Sequence, residues 1–96
     1  MSRIKIVGMN HQHPKHPVVE NEIVRFVHEP DNVADKNAVM VVNSHNEKIG
    51  YVATKNTLSP GNRKRGCIDN IELLKIDSSK GIIDKVFKTF GYANIQ

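Results

Sequence analysis

Long apolar runs are missing from this chain of 96 residues, and nothing in it approaches the roughly 20 residues that a bilayer-spanning helix needs. The opening MSRIKIVGMN likewise holds no continuous apolar segment of the kind that directs secretion, so the expectation is a cytoplasmic protein with no membrane partner. Cysteine is nearly absent: Cys67 stands alone, cannot close an intramolecular disulfide and has no partner at zinc-ribbon spacing. Tryptophan is absent too, and two tyrosines with three phenylalanines leave few rings for stacking on bases. No P-loop, Gly-x-Ser-x-Gly elbow or paired-cysteine site occurs. His28, Glu29, Asp31 and Asp35 come from one strand-turn segment, whereas a metal-dependent nuclease gathers carboxylates from several elements. The chain is therefore expected to be no enzyme and to need no cofactor.

What is present suits a folded domain. Hydrophobic residues at 39% and charged residues at 25% fit a chain with a core, and 96 residues are enough for one domain, over 1–96, and hardly for two. Fourteen Lys and Arg against ten Asp and Glu give a formal charge of +4, which favours a polyanionic partner. That charge is unevenly placed. The segment TKNTLSPGNRKRGC carries Lys55, Arg63, Lys64 and Arg65 with no acid among them, and it is the electrostatic candidate for nucleic-acid contact.

Periodicity supplies the elements. Arg3 to Met9 alternates polar and apolar residues, with Ile4 and Ile6 on one face, and reads as a first strand. NHQHPKHP, with two prolines, is a loop. Its His11, His13 and His16 are metal-ligand types, yet H-x-H-x-x-H matches no four-ligand zinc pattern, and no metal is expected. EIVRFVHE, Glu22 to Glu29, is rich in β-branched and aromatic residues and predicts a second strand, followed by the turn residues Pro30, Asp31 and Asn32. AVMVV, Ala38 to Val42, fits a strand buried on both faces, and KIGYVA its hairpin partner. SPGN suits a type II turn. CIDNIELLKI, Cys67 to Ile76, is expected to be a fifth strand. Ile82, Ile83, Val86, Phe87 and Phe90 recur at spacings of one, three and four, which predicts a C-terminal helix over about 79–90 with Phe87 and Phe90 in the core. The expected fold is mainly β: a small OB-like or SH3-like β-barrel of five to six strands plus that helix.

IVG near the start, then VRFVHEPDNVADKNAVMVV and then EKIGYVA, resemble the HIRAN domain over roughly residues 3 to 53. The family pattern is a glycine after the first strand, Glu-Pro, Asn-x-x-Asp-x-Asn-Ala and a Gly-Tyr-like pair after a hairpin. The resemblance implies an OB-like barrel that binds single-stranded DNA at its 3′ end, with Asn32 and Asp35 in the groove and Asp35 accepting from the terminal 3′ hydroxyl. A carboxylate accepts such a proton and repels a phosphate in the same place. It also implies a stacking role at His11, with Asn10 beside it. The same Asx residues also tie down turns, and the two roles are compatible. Tyr51 reads as a stacking ring or a core-edge residue, and Lys55 stands nearest to where the family often carries a basic residue.

The chain departs from that pattern where the family commonly has Pro-Tyr between Asn and Asp. Here those positions are Val33 and Ala34, and a lost base-stacking ring is worth about 1–3 kcal/mol. A second function class therefore stands beside DNA binding: a protein-interaction or inhibitor module, of a kind found in phages, that uses the same scaffold and its basic surface on a protein or nucleoprotein partner.

Overall fold

The computed structural model describes residues 2–96. Six strands form it: β1 (Arg3–Val7), β2 (Ile23–His28), β3 (Val39–Val42), β4 (Lys48–Val52), β5 (Lys80–Val86) and β6 (Gly91–Ile95). All pairings are antiparallel, in the order β1-β4-β3-β2-β5-β6, and β6 pairs back onto β1 to close the barrel. Closure leaves no open sheet edge, the usual liability of a small β domain. Two single-turn 3-10 segments, Met9–His11 and Lys55–Thr57, and two short helices, α1 (Pro60–Lys64) and α2 (Asn70–Ile76), complete it.

Alternation decides which side chains enter the barrel. Ile4 and Ile6 of β1 are fully buried, while Arg3, Lys5 and Val7 point outward. Val24 and Phe26 of β2, Val39 and Val41 of β3, Ile49 and Val52 of β4, Ile83 of β5 and Ala93 of β6 fill the rest. The register of β3 against β4 shifts between Val41 and Val42, and the bulge lets two consecutive valines bury, as the unbroken AVMVV run requires. The strand pair is so close at Gly50 that a Cβ there would lie 2.7 Å from both Ile6 Cγ2 and the Val7 carbonyl oxygen.

Three expectations fail, each for a local reason. Cys67 to Ile76 is not a strand: Cys67 makes one isolated bridge to Arg3, and Asn70–Ile76 is α2. The Asp69 carboxylate accepts from the Glu72 N–H at 2.8 Å, and Glu72 Oε1 accepts from the Asp69 N–H at 3.1 Å. This reciprocal cap, written D-N-I-E in the sequence, starts a helix whose Leu73 joins the barrel core. SPGN is not a type II turn. Ser59 Oγ accepts from the Asn62 N–H at 3.1 Å, Asn62 Oδ1 accepts from the Ser59 N–H at 3.0 Å, and Pro60 begins α1.

The predicted C-terminal helix over about 79–90 is the hairpin β5–β6. A register shift between Ile83 and Lys85 breaks the two-residue period of β5, and the apolar residues then recur at helix-like spacing. Gly81, a poor helix former, sits buried where a Cβ would meet Phe26 Cζ at 2.6 Å. Phe87 and Phe90 lie at the hairpin end, where the Phe87 N–H donates to the Phe90 carbonyl at 2.8 Å. Phe87 is 49% exposed, so it is a surface ring and not a core residue.

Candidate nucleic-acid interface

The loop between β2 and β3 shapes the first cavity. Asn32 Oδ1 accepts from the backbone N–H groups of Ala34 (3.0 Å) and Asp35 (3.1 Å), while its Nδ2 donates to Glu29 Oε1 at 3.1 Å. The Asn32 side chain therefore braces its own loop. Asp35 Oδ1 accepts from the Asn37 N–H at 2.9 Å, but Oδ2 has only a long contact of 3.4 Å from Asn70 Nδ2. Asn70 is buried, and its better bond, 2.8 Å, goes to the Asn37 carbonyl, so α2 pins the loop from below.

Asn32, Ala34 and Asp35 then border a cavity of about 240 Å³ with Val7, Tyr51 and Thr54. Ala38, Val52 and Thr57 complete its wall, and Lys and Arg are absent from the lining among the described residues. Thr57 Oγ1 accepts from the Thr54 N–H at 2.8 Å and donates to the Thr54 carbonyl at 3.0 Å, which closes the turn that carries Lys55. Thr54 Oγ1 lies 3.4 Å from Thr57 Oγ1 and completes the capping box of that turn.

Tyr51 is held from its outer end. Its hydroxyl donates to Glu29 Oε1 at 2.7 Å and accepts from Lys48 Nζ at 2.9 Å. The Tyr51 hydroxyl is the chief cause holding the Glu29 carboxyl below the usual carboxylate range, and the bond from Lys48 to the same hydroxyl is the chief cause raising Lys48. The ring is thereby fixed as one wall, and it also borders a neighbouring hollow formed with His28 to Val33.

The sequence-predicted residues divide into groups. Asn32, Asp35 and Tyr51 come together, with Lys55 exposed one residue beyond Thr54. Asn10 and His11 are exposed on the 3-10 turn that follows Val7 and Gly8 but do not line the cavity. Gly8 adopts φ 70°, a left-handed value that lets the chain leave β1 sharply into that turn. Arg63, Lys64 and Arg65 lie elsewhere, at the end of α1. Arg63 ion-pairs with Asp69 at 3.0 Å and also with Glu72, so it serves the cap of α2. Arg65 borders a different cavity with Arg3.

Thr54, Thr57, Glu29, Lys48 and Asn70 were not anticipated. T-x-x-T was a visible capping signal for the first pair; the bond of Tyr51 to Glu29 spans 22 residues and that of Asn70 to the Asn37 carbonyl spans 33, separations that no local pattern shows. Among the described residues no three His, Cys, Asp or Glu side chains gather as a metal site. His16 instead stacks on His45 with centroids 3.6 Å apart and bonds Glu47 at 2.8 Å. Burial pushes the Cys67 thiol up, away from reactive thiolate behaviour. No helix among the described residues is long and apolar enough to cross a membrane.

Comparison with known proteins agrees with this architecture. The family model of the HIRAN domain matches residues 1–67. The crystal structure of the HIRAN domain of human HLTF superposes with a TM-score of 0.65, covering 97% of this chain and 70% of that one at 18% identity, a likeness of fold. No curated protein matches the chain. With the central motif seated at the mouth of a closed six-stranded barrel and the family model spanning more than half of its residues, the chain belongs to the HIRAN domain family.

Proposed function

We propose that this domain is a non-catalytic nucleic-acid-binding module that takes single-stranded DNA by its 3′ end, with Asp35 as the acceptor for the terminal hydroxyl. The observation that carries the reading is the state of the Asp35 carboxylate: one oxygen is committed to the loop, and the other faces only a 3.4 Å amide contact at the wall of a largely apolar cavity. A hydroxyl supplies the donor that such an oxygen lacks. A terminal phosphate would meet the carboxylate with no lining Lys or Arg to offset the repulsion. Tyr51 offers a ring for the terminal sugar or base, and membership of a DNA-binding family supports the polymer.

Fluorescence anisotropy with short strands ending in 3′-OH or 3′-phosphate, over a salt series, tests this directly. Wild type is expected to prefer the free hydroxyl, and Asp35→Ala to weaken that complex while leaving the phosphorylated strand nearly unchanged. Equal loss on both strands would remove Asp35 from end recognition. A second reading, a protein partner, is favoured by Val33, which stands fully exposed on the loop beside the cavity where an apolar contact would serve. Failure of every strand to bind at low salt would move the assignment to that reading.

A further inference from the structure

A further cavity, of about 320 Å³, opens on the β5–β6 side of β1 between Arg3, Arg65, Asp84, Lys85, Phe87 and Tyr92. Three cations and one carboxylate line it. Arg3 spends its charge internally: it ion-pairs with Asp84 at 2.5 Å and lies 5.0 Å over the Tyr92 ring. Its Nε–H is buried without a partner among the described residues. Tyr92 is fixed in turn, since its hydroxyl accepts from Asn62 Nδ2 at 3.1 Å. Neither Arg65 nor Lys85 is ion-paired among the described residues, and both are exposed. Phe87, stacked on Phe90 at 4.7 Å and edge-on to Tyr92 at 6.4 Å, presents the aromatic wall.

Unpaired cations beside a rigid, exposed ring are the combination that holds a nucleic-acid strand without reading its sequence: charge for the phosphate, a π face for the base. We propose that this cavity is a phosphodiester subsite, in which Arg65 and Lys85 each take an internal phosphate of a single strand and a neighbouring base lies on Phe87. It rests on the nucleic-acid reading above but not on end capture. Arg3 borders this cavity and Val7 the loop cavity, four residue steps apart on β1, about 13 Å along the strand. A strand longer than a few nucleotides can touch both.

The test compares a 3′-OH dinucleotide with a 3′-OH strand of about twelve nucleotides, a length within the usual site sizes of OB folds. Wild type, Asp35→Ala, the double variant Arg65→Ala/Lys85→Ala and Phe87→Ala are measured by anisotropy over a salt series. The double variant is expected to leave dinucleotide binding unchanged, weaken the long strand and flatten its salt dependence by about 1.4 in log–log slope, about 0.7 for each lost phosphate contact. Phe87→Ala should weaken the long strand about fivefold or more. All three side chains are exposed, and thermal melts of the variants check that the fold is retained. Unchanged long-strand affinity and slope in the double variant, with Asp35→Ala still weakening both oligonucleotides, would overturn the subsite and keep end capture. The reverse pattern would keep the subsite and overturn end capture. Absence of wild-type binding to either strand would overturn the nucleic-acid reading and the subsite with it.

Discussion

At one end of β1, Val7 borders a cavity whose amides and carboxylates are mostly bonded to their own loop; at the other end, Arg3 borders one where two cations stand unpaired. The first is framed by the irregular segment after β2, and irregular backbone must borrow side chains to satisfy its N–H groups. Asn32 is used up in that way, and Asp35 keeps part of one oxygen. The second is framed by β5, β6 and the end of α1, and no backbone group there draws on the side chains of Arg65 and Lys85, which stay unengaged. A loop site thus offers few groups in fixed positions, suited to one terminal atom, and a strand-framed site offers mobile charge, suited to a repeating backbone.

The most damaging test of this comparison is to remove the element both cavities share. Ile6 is fully buried on β1 between the outward Lys5 and Val7. Ile6→Ala should destabilise the domain by about 2–5 kcal/mol in urea denaturation. Both binding modes should weaken together near the shifted midpoint. Normal binding at one cavity in a barrel so weakened would show that β1 is not their common frame.

Ala34→Tyr sharpens the contrast from the other side, because Ala34 is exposed and borders only the loop cavity. A ring there can stack on a terminal base, worth about 1–3 kcal/mol, so affinity for a 3′-OH dinucleotide should rise about fivefold or more. The salt slope on a long strand should stay constant, since no phosphate contact is added. No gain in dinucleotide affinity would mean that position 34 does not face the bound end.

Much of this molecule was legible in the chain, and what was not has identifiable causes. Alternation placed β1 and β2, whose inward residues Ile4, Ile6, Val24 and Phe26 keep the two-residue period, while an unbroken apolar run marked β3 and the hairpin after it marked β4. The motif from Glu29 to Ala38 located the loop cavity because Asx residues at fixed offsets shape a turn locally. The second half misled where a local feature broke the period. The bulge at Ile83 to Lys85 imitated a helix, and an apolar-rich segment after Asp69 outweighed the capping box that begins α2. The basic triplet Arg63-Lys64-Arg65 was read as one site because sequence shows adjacency and not direction: Arg63 turns to Asp69 and Glu72, while Arg65 turns to the other cavity.

Tyr51→Phe tests whether the loop cavity depends on its outer braces. The ring remains, but the hydroxyl that bonds Glu29 and Lys48 is lost, at a cost of about 1 kcal/mol. The pH consequence has a definite sign. Glu29 is depressed in the folded state from its ordinary 4.5, so the stability it contributes is present above about pH 4.5 and is lost as pH falls through the lowered folded value. In Tyr51→Phe the carboxyl should titrate closer to 4.5 by NMR, and the acid loss of stability attributable to Glu29 should shrink. An unmoved Glu29 titration would assign the depression to Asn32 and Lys48 instead.

The smallest expected effect separates the two arginines of the basic triplet. Arg63→Ala removes ion pairs with the buried Asp69 and the partly exposed Glu72 at the α2 cap, so it should lower the melting temperature slightly, an effect that fades at high salt. It should leave the salt slope of strand binding unchanged, because its charge already faces Asp69 and Glu72. Arg65→Ala should do the opposite: no measurable change in melting temperature, and a slope on long strands lower by about 0.7. Both residues carry the same charge two positions apart in a segment without acids, so composition cannot distinguish them; only the direction each side chain takes from α1 does. If Arg63→Ala lowers the slope as much as Arg65→Ala does, the triplet binds as a diffuse basic patch, and the contrast between the two ends of β1 reduces to net charge.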